Sequence, residues 1–217
     1  MSPEPQRRPL ATRERGWAKA LAQSLNRAGV APNLISIASL AFAIGAGVAL
    51  WATAQSVGLA RVLELLAAAG CIQLRLLCNM LDGMVAIEGG RQTPYGEIFN
   101  DMPDRFADVA ILVGAGYASS EFPWGVQLGW LAAILAILTA YARLLGGAMG
   151  TRQYFTGPMA KPHRMALLTV ACLLSTLEPI VGWHGQVLAA TLIVIVVGCG
   201  ATLVRRTSQI VSEVKAR

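Results

Sequence analysis

Acidic and amide side chains recur in two short stretches of the sequence at the spacing of a helix face. In the longer stretch they fall at relative positions 0, 3, 4, 7 and 11, which places them on one side of a helix. These residues are Glu97, Asn100, Asp101, Asp104 and Asp108. In the shorter stretch, Asn79 and Asp82 stand three positions apart and share a face of their own helix. Two helices therefore offer oxygen-bearing side chains to each other.

Carboxylates crowded on one helix face repel each other strongly in a low-dielectric medium, so something must neutralise them. Mg²⁺ or Mn²⁺, as one or two ions, fits this role because hard cations prefer oxygen ligands. Protonation or pairing with Arg105 would serve instead. No His or Cys stands beside the cluster, which disfavours zinc. Substrate phosphates often complete a Mg²⁺ site, so the pattern favours phosphate chemistry.

The composition places this chemistry in a membrane. Of the 217 residues, 55% are hydrophobic and 14% are charged, whereas soluble domains carry about 25% charged residues. A spanning helix needs roughly 20 mostly apolar residues. The stretches of this kind are Leu34–Thr53, Leu59–Leu81, Gly96–Ala118, Val126–Ala148, Arg164–Ile180 and Val187–Val204. The sequence predicts an all-α integral membrane protein with a bundle of six transmembrane helices.

The layout of the chain predicts one domain over residues 1–217. It comprises a cytoplasmic or interfacial segment at 1–30, the bundle at 31–205 and a cytoplasmic tail at 206–217. Trp17, Leu21 and Leu25 recur every four residues among basic residues, which is typical of an amphipathic helix lying in the membrane interface. A solvated basic tail is the alternative.

The placement of lysine and arginine predicts the orientation. Basic residues gather in the N-terminal segment, the second and fourth loops and the C-terminus, while the alternate loops have none. By the positive-inside tendency, both termini and the acidic cluster face the cytoplasm. The net charge of +6 then reflects topology and contact with anionic membrane lipids, not nucleic-acid binding. The Ala-, Gly- and Arg-rich composition suggests a bacterial plasma (inner) membrane.

A known signature matches this acidic cluster. The pattern Asn79-x2-Asp82-Gly83-x2-Ala86-x9-Gly96-x3-Asn100-x3-Asp104 resembles that of the CDP-alcohol phosphotransferase family, D-x2-D-G-x2-A-R-x8-G-x3-D-x3-D. The segment 31–36 (APNLIS) is similar to the P-N-x-x-[TS] sequence common at the first span of the family. The segment 154–164 (YFTGPMAKPHR) resembles a basic loop with which several members bind a phosphorylated acceptor.

The resemblance implies a function and a set of roles. Family members displace CMP from a CDP-alcohol, usually CDP-diacylglycerol, through attack by an acceptor hydroxyl. Carried over, Asp104 is the catalytic base. The implied metal ligands are Asn79, Asp82 and Asn100, with Asp101 added from the stripe. The implied donor-binding residues are Asn33, Gly83, Ala86 and Gly96. The implied acceptor-binding residues are Arg143, Lys161 and Arg164. The resemblance also implies a homodimer.

Three positions depart from the family pattern. Asn79 and Asn100 replace the first and third aspartates, and Ile87 replaces the arginine. An amide oxygen binds a hard cation but adds no charge, so the site would hold metal more weakly. Either Asp101 and Glu97 supply the missing charge, or the site holds one ion instead of two. Arg75, two helical turns before Asp82, is predicted to act as a structural counter-ion.

Several alternatives remain open from the sequence. The basic residues assigned to the acceptor would also be explained as flanking charges of the positive-inside pattern. A catalytically silent relative with a binding or scaffold role is a second hypothesis, because of the two asparagines. A cation transporter is a third, which the apolar far halves of the second and third spans disfavour. The basic site favours a polyol phosphate as acceptor, with a free polyol as the alternative.

Overall fold

The computed structural model describes residues 16–90 and 96–216, and these ranges are all-helical, as predicted. The α-helices in this part of the chain are α1 (Gly16–Arg27), α2 (Pro32–Ala52), α3 (Gly58–Glu88), α4 (Gly96–Ala118), α5 (Gly125–Ala148), α6 (Lys161–Ser175) and α7 (Gln186–Lys215). The predicted segment at 1–30 is described from Gly16 onward. The side chain of Glu97 lies outside the described residues.

Four of these helices are long and apolar enough to cross a membrane: α2, α3 (over Gly58–Ile87), α5 and α7. The other two predicted spans, α4 and α6, do not meet this criterion of length and apolar composition, and each has an identifiable reason. The first half of α4 carries Asp101, Asp104, Arg105 and Asp108. The α6 helix has 15 residues, or about 22 Å at 1.5 Å per residue, against a hydrocarbon core of about 30 Å. The prediction of six spans stays a prediction.

The six longer helices pack into a closed ring in the order α2, α4, α5, α7, α6 and α3, and α4 also touches α7. Their shared core is apolar, with Ile72, Ile111, Leu112, Leu168 and Leu192 fully buried. The α1 helix packs on α3 through Ala18 and Ala22, which join a second apolar cluster with Met84 and Val85. Trp17 and Leu21, which precede these alanines, stay exposed.

Close helix crossings depend on glycine. A Cβ added to Gly129 of α5 would lie 2.7 Å from the Cα of Gly116 on α4. A Cβ added to Gly114 of α4 would lie 2.8 Å from the Cα of Gly47 on α2. Backbones that approach so closely maximise van der Waals contact, which is a main source of helix association in lipid. These crossings therefore fix the position of α4 between α2 and α5.

Two helix ends differ from the sequence prediction. The α6 helix begins at Lys161, with Pro162 in its first turn, and it ends at Ser175, before Pro179. The α7 helix continues to Lys215, so the described part of the predicted tail is helical. It continues because Arg206 is buried and donates hydrogen bonds to Thr139 O (2.5 Å) and Thr156 O (2.9 Å).

A buried ion pair fastens the end of the bundle remote from the acidic cluster. Glu178, in a short 3-10 turn after α6, accepts from Arg61 Nη2 of α3 at 3.0 Å. It also accepts from the backbone N–H groups of Gly185 and Val187, both at 2.8 Å, and so caps the start of α7. Arg61 further donates to Thr53 O (2.7 Å) and His184 Nε2 (2.7 Å). Through Arg61, one carboxylate thus ties the α6–α7 connection to the end of α2.

We expect Glu178→Gln to destabilise the protein by about 3–5 kcal/mol, because it leaves a buried arginine without its charge partner. The Arg61 side chain is only 2% exposed, so water cannot compensate. Thermal unfolding of the purified protein in detergent measures the loss. Glu121→Gln is the matched control at the same end, because the Glu121 side chain is 59% exposed. Equal effects of the two substitutions would contradict the structural role of Glu178.

Candidate active site

Two serines of α2 bind the polar pair of α3. Ser36 Oγ donates to Asp82 Oδ2 at 2.8 Å, and Ser39 Oγ donates to Asn79 Oδ1 at 2.5 Å. The helices are antiparallel, so serines three apart meet an Asn and an Asp three apart in matching register. The carboxylate of Asp82 and the amide of Asn79 therefore have fixed orientations.

Asn79 also joins α3 to α4. Its Nδ2 donates to Asp104 Oδ1 at 2.7 Å. Asp104 receives two cations besides, Lys161 Nζ of α6 at 2.5 Å from Oδ2 and Arg75 Nη2 of α3 at 3.5 Å from Oδ1. All three neighbours are donors, as expected around a carboxylate that acts as an acceptor. Asp104 thus lies where α3, α4 and α6 converge.

Asp108 lies one helical turn deeper in the bundle than Asp104. Arg75 Nη2 donates to its Oδ1 at 2.8 Å, and Arg164 Nη2 donates to its Oδ2 at 2.5 Å. Arg164 also donates to Met159 O at 3.0 Å. The side chains of all three charged residues are at most 2% exposed. This buried triad links α3, α4 and α6 by charge-assisted hydrogen bonds.

Asp101 lies at the outer end of the same helix face. Its Oδ1 accepts from Arg105 Nη2 at 3.2 Å and from Arg143 Nη2 of α5 at 2.7 Å. The guanidinium of Arg143 also lies over the ring of Phe155, 5.2 Å from its centre. These contacts connect α4 to α5 and to the loop that leads into α6.

The aspartates of α4 form one stripe that runs inward, as the sequence predicts. Their side chains are 32% exposed at Asp101, 12% at Asp104 and 1% at Asp108. Each is paired with one of the three cations predicted to bind the acceptor, namely Arg143, Lys161 and Arg164 in that order. The predicted pairing of Arg105 and the counter-ion role of Arg75 are both confirmed. Acceptor binding by these cations stays a prediction.

Asp82 differs from the stripe. Asp82 is 4% exposed, and its carboxylate accepts hydrogen bonds from the Ser36 hydroxyl and from the backbone N–H of Gly83. Among the described aspartates, it alone has no Lys or Arg within ion-pair distance. A buried carboxylate without a counter-charge is costly.

A hard divalent cation at Asp82 would supply the missing charge, so the site fits one such ion. It does not fit a cluster of several carboxylate ligands. The described residues contain no group of three or more His, Cys, Asp or Glu placed to hold a metal.

The remaining predicted residues lie around the same end of the bundle. Gly83 and Ala86 are half-buried on α3, Gly96 is half-buried at the start of α4, and Asn33 is half-buried in the first turn of α2. The register that pairs position 36 with 82 puts Asn33 level with Val85, next to Ala86. Asn100 is exposed, and no hydrogen bond joins it to another described site residue.

The loop between α5 and α6 closes against the end of α7. Tyr154 Oη donates to Glu213 Oε2 at 2.5 Å, which raises the pKa of Tyr154. Thr156 Oγ1 donates to Gln209 Oε1 at 2.7 Å. Sequence reasoning missed these contacts and the role of Ser39. For the serine contacts a signal was available, because Ser36 and Ser39 stand three residues apart in the first span, as Asn79 and Asp82 do in the second.

Comparison with known proteins finds two relatives by sequence and a shared fold among solved structures. No family model matches the chain. It is 29% identical over 135 residues to the inner membrane protein YnbA of Escherichia coli, over 62% of this chain and 63% of that protein. The match thus spans just under two thirds of YnbA. The chain is 26% identical over 159 residues to the phosphatidylinositol phosphate synthase of Mycobacteroides abscessus, over 71% of this chain and 67% of that enzyme.

Solved structures agree on the fold. The chain is similar to the phosphatidylinositol phosphate synthase of Mycobacterium tuberculosis crystallised with manganese and citrate, with a TM-score of 0.74 and 21% identity. That match covers 89% of this chain and 88% of the other. The same enzyme with CDP-DAG bound gives a TM-score of 0.72 and 22% identity over 89% and 92% of the two chains. The described helices therefore share the fold of that synthase.

We expect Asp108→Asn to lower the stability of the protein by roughly 3 kcal/mol or more, because Arg75 and Arg164 would lose a buried charge partner. Asp101→Asn is the matched control on the same helix face. Its partners are partly exposed, so the expected loss is about 1 kcal/mol or less. Chemical or thermal unfolding in detergent compares the two. A larger effect at Asp101 than at Asp108 would refute the inward gradient of ion-pair burial.

Proposed function

We propose that this protein is a membrane phosphotransferase of phospholipid biosynthesis. It transfers a substituted phosphate, a phosphatidyl group, from a CDP-alcohol such as CDP-diacylglycerol to an acceptor hydroxyl and releases CMP. One observation carries the proposal. Asp82, a buried carboxylate without a counter-charge, lies beside the Asn79–Asp104 hydrogen bond where the family signature requires its site.

The comparisons support this proposal. One sequence relative is a phosphatidylinositol phosphate synthase, and the related structures carry manganese and citrate or CDP-DAG. The spacing of the signature is retained without a gap, although two of its aspartates are asparagines. We therefore propose that the chain is an asparagine variant of the CDP-alcohol phosphotransferase family.

The donor-binding half of the site comes from α2, α3 and α4. Asp82 would hold Mg²⁺ or Mn²⁺, with Asn79 and Asn100 as the further ligands that the signature implies and Asp101 as a ligand added from the acidic stripe. A bound ion supplies positive charge to the pyrophosphate and to the departing CMP. Asn33, Gly83, Ala86 and Gly96 are the proposed donor-binding residues around it.

Asp104 is the proposed base. The acceptor oxygen forms a new bond to the phosphorus of the phosphatidyl group, and the bond from that phosphorus to CMP breaks. Asp104 takes the proton of the acceptor hydroxyl. Asn79 and Lys161 each bind one oxygen of this carboxylate, which fixes its direction. Orientation of this kind lowers the entropic cost of the attack.

The acceptor-binding half consists of cations. Arg143, Lys161 and Arg164 are the proposed residues, and they favour a polyol phosphate because guanidinium and ammonium groups bind phosphate. Arg143 and Lys161 are partly exposed and retain donors beyond their aspartate contacts. Arg164 is buried and bonded to Asp108, so its contribution would be to place Asp108 and α6.

The membrane setting is part of the proposal. We propose that the protein has six spans in a single domain over residues 1–217. Both termini and the site would lie on the cytoplasmic side of a bacterial plasma membrane. Helix α1 would lie in the interface, supported by the exposed Trp17 and Leu21 beside its buried alanines. We also propose a homodimer, on the family resemblance alone.

We expect the purified protein in detergent to release CMP from CDP-diacylglycerol when Mg²⁺ or Mn²⁺ and a suitable acceptor are present. Glycerol 3-phosphate, inositol phosphate, serine and water form the acceptor panel. Asp82→Ala should lower the rate roughly a hundredfold or more, because it removes the proposed metal ligand. Glu121→Ala, a remote exposed carboxylate, is the matched control. Folded protein that releases no CMP with any acceptor would favour the silent-relative hypothesis.

Asp104→Asn tests the base. We expect turnover to fall by about two to four orders of magnitude, since an amide cannot take the acceptor proton. Mn²⁺ binding, followed by calorimetry, should remain close to that of the unaltered protein. Loss of Mn²⁺ binding in this variant would instead identify Asp104 as a ligand.

A further inference from the structure

The structure points to a cation that is built into the chain, and this inference rests on the proposed function. We propose that the ammonium of Lys161 takes the place of a second divalent ion, so that the site binds a single Mg²⁺ or Mn²⁺ at Asp82. The asparagines at positions 79 and 100 and the lysine at 161 then form one charge-balanced arrangement.

Asn79 is oriented against metal binding on the Asp104 side. Its oxygen accepts from Ser39 Oγ, and its nitrogen faces Asp104 Oδ1 at 2.7 Å. The opposite orientation would set an amide oxygen against a carboxylate oxygen, which is two acceptors in contact. The side chain therefore presents a donor where a shared metal ion would need a ligand oxygen.

Lys161 occupies the other side of Asp104. Its Nζ lies 2.5 Å from Asp104 Oδ2, and its side chain is 23% exposed. Arg75 adds a further positive charge 3.5 Å from Oδ1. A divalent ion placed next to Asp104 would be repelled by both cations. Among the described residues, none forms an ion pair with Asp82, so the uncompensated negative charge of this part of the site lies there.

A double variant that changes the net charge of the site tests the single-ion proposal. The double substitution Asn79→Asp and Lys161→Met adds one negative charge and removes one positive charge, so the net charge falls by two units, which equals the charge of one divalent ion. It also supplies a carboxylate beside Asp104 and clears the space of the ammonium. The double variant should therefore gain a second metal ion, whereas Asn79→Asp alone keeps Lys161 and should not.

The experiment counts Mn²⁺ bound per chain by electron paramagnetic resonance of the free ion, with the full chain in detergent. We expect one ion in the unaltered protein, in Asn79→Asp and in the matched control Lys215→Met, and two ions in the double variant. Circular dichroism and size-exclusion profiles establish that each variant is folded.

Two ions in the unaltered protein would overturn the inference, and so would a single ion in the folded double variant. CMP release from the same preparation separates this inference from the proposed function. Protein that binds one Mn²⁺ and releases no CMP contradicts the function only. Protein that releases CMP and binds two ions contradicts the single-ion inference only.

Discussion

The neutralisation of the aspartates on α4 is the constraint on which the rest of the structure depends. Three carboxylates on one helix face cannot enter an apolar bundle unless cations meet them. The cations come from α3, α5 and α6, so the same contacts that remove the charge also hold these helices together. Asp108 shows this most clearly, because Arg75 and Arg164 bind it from opposite helices in a fully buried position.

This constraint also explains the division of the site into two halves. On the side of α6, Lys161 pairs with Asp104 and Arg164 pairs with Asp108, so side chains of the protein itself neutralise these carboxylates. On the side of α2, Asp82 is bound by a serine hydroxyl and a backbone N–H, which carry no full charge. Under the proposed function, a pyrophosphate with its metal ion would complete the second half, and the cations would attract a phosphate acceptor to the first.

The opposite end of the bundle uses the same physics for a different purpose. Glu178 and Arg61 are buried and paired there too, but backbone N–H and C=O groups complete their contacts. Buried charges whose contacts are taken up within the chain in this way help to specify a structure and leave little capacity for a substrate. Glu178 is thus a buried charge that organises loops, whereas Asp82 is a buried charge that would bind a metal ion in the proposed function.

The sequence by itself determined the helical class, the seven helical segments within the described ranges, and the acidic stripe, because apolar runs and 3.6-residue periodicity are local properties. It also predicted that Arg75 is a counter-ion, but the carboxylates that Arg75 pairs with are Asp104 and Asp108 of α4, not Asp82 on its own helix face. It did not determine the partners of Asp101, Asp104 and Asp108. The pairs with the cations of α5 and α6 join residues 42 to 57 positions apart, at Asp101–Arg143 and Asp104–Lys161 for example. Only tertiary packing decides which cation reaches which aspartate, and why Asp82 is left without one.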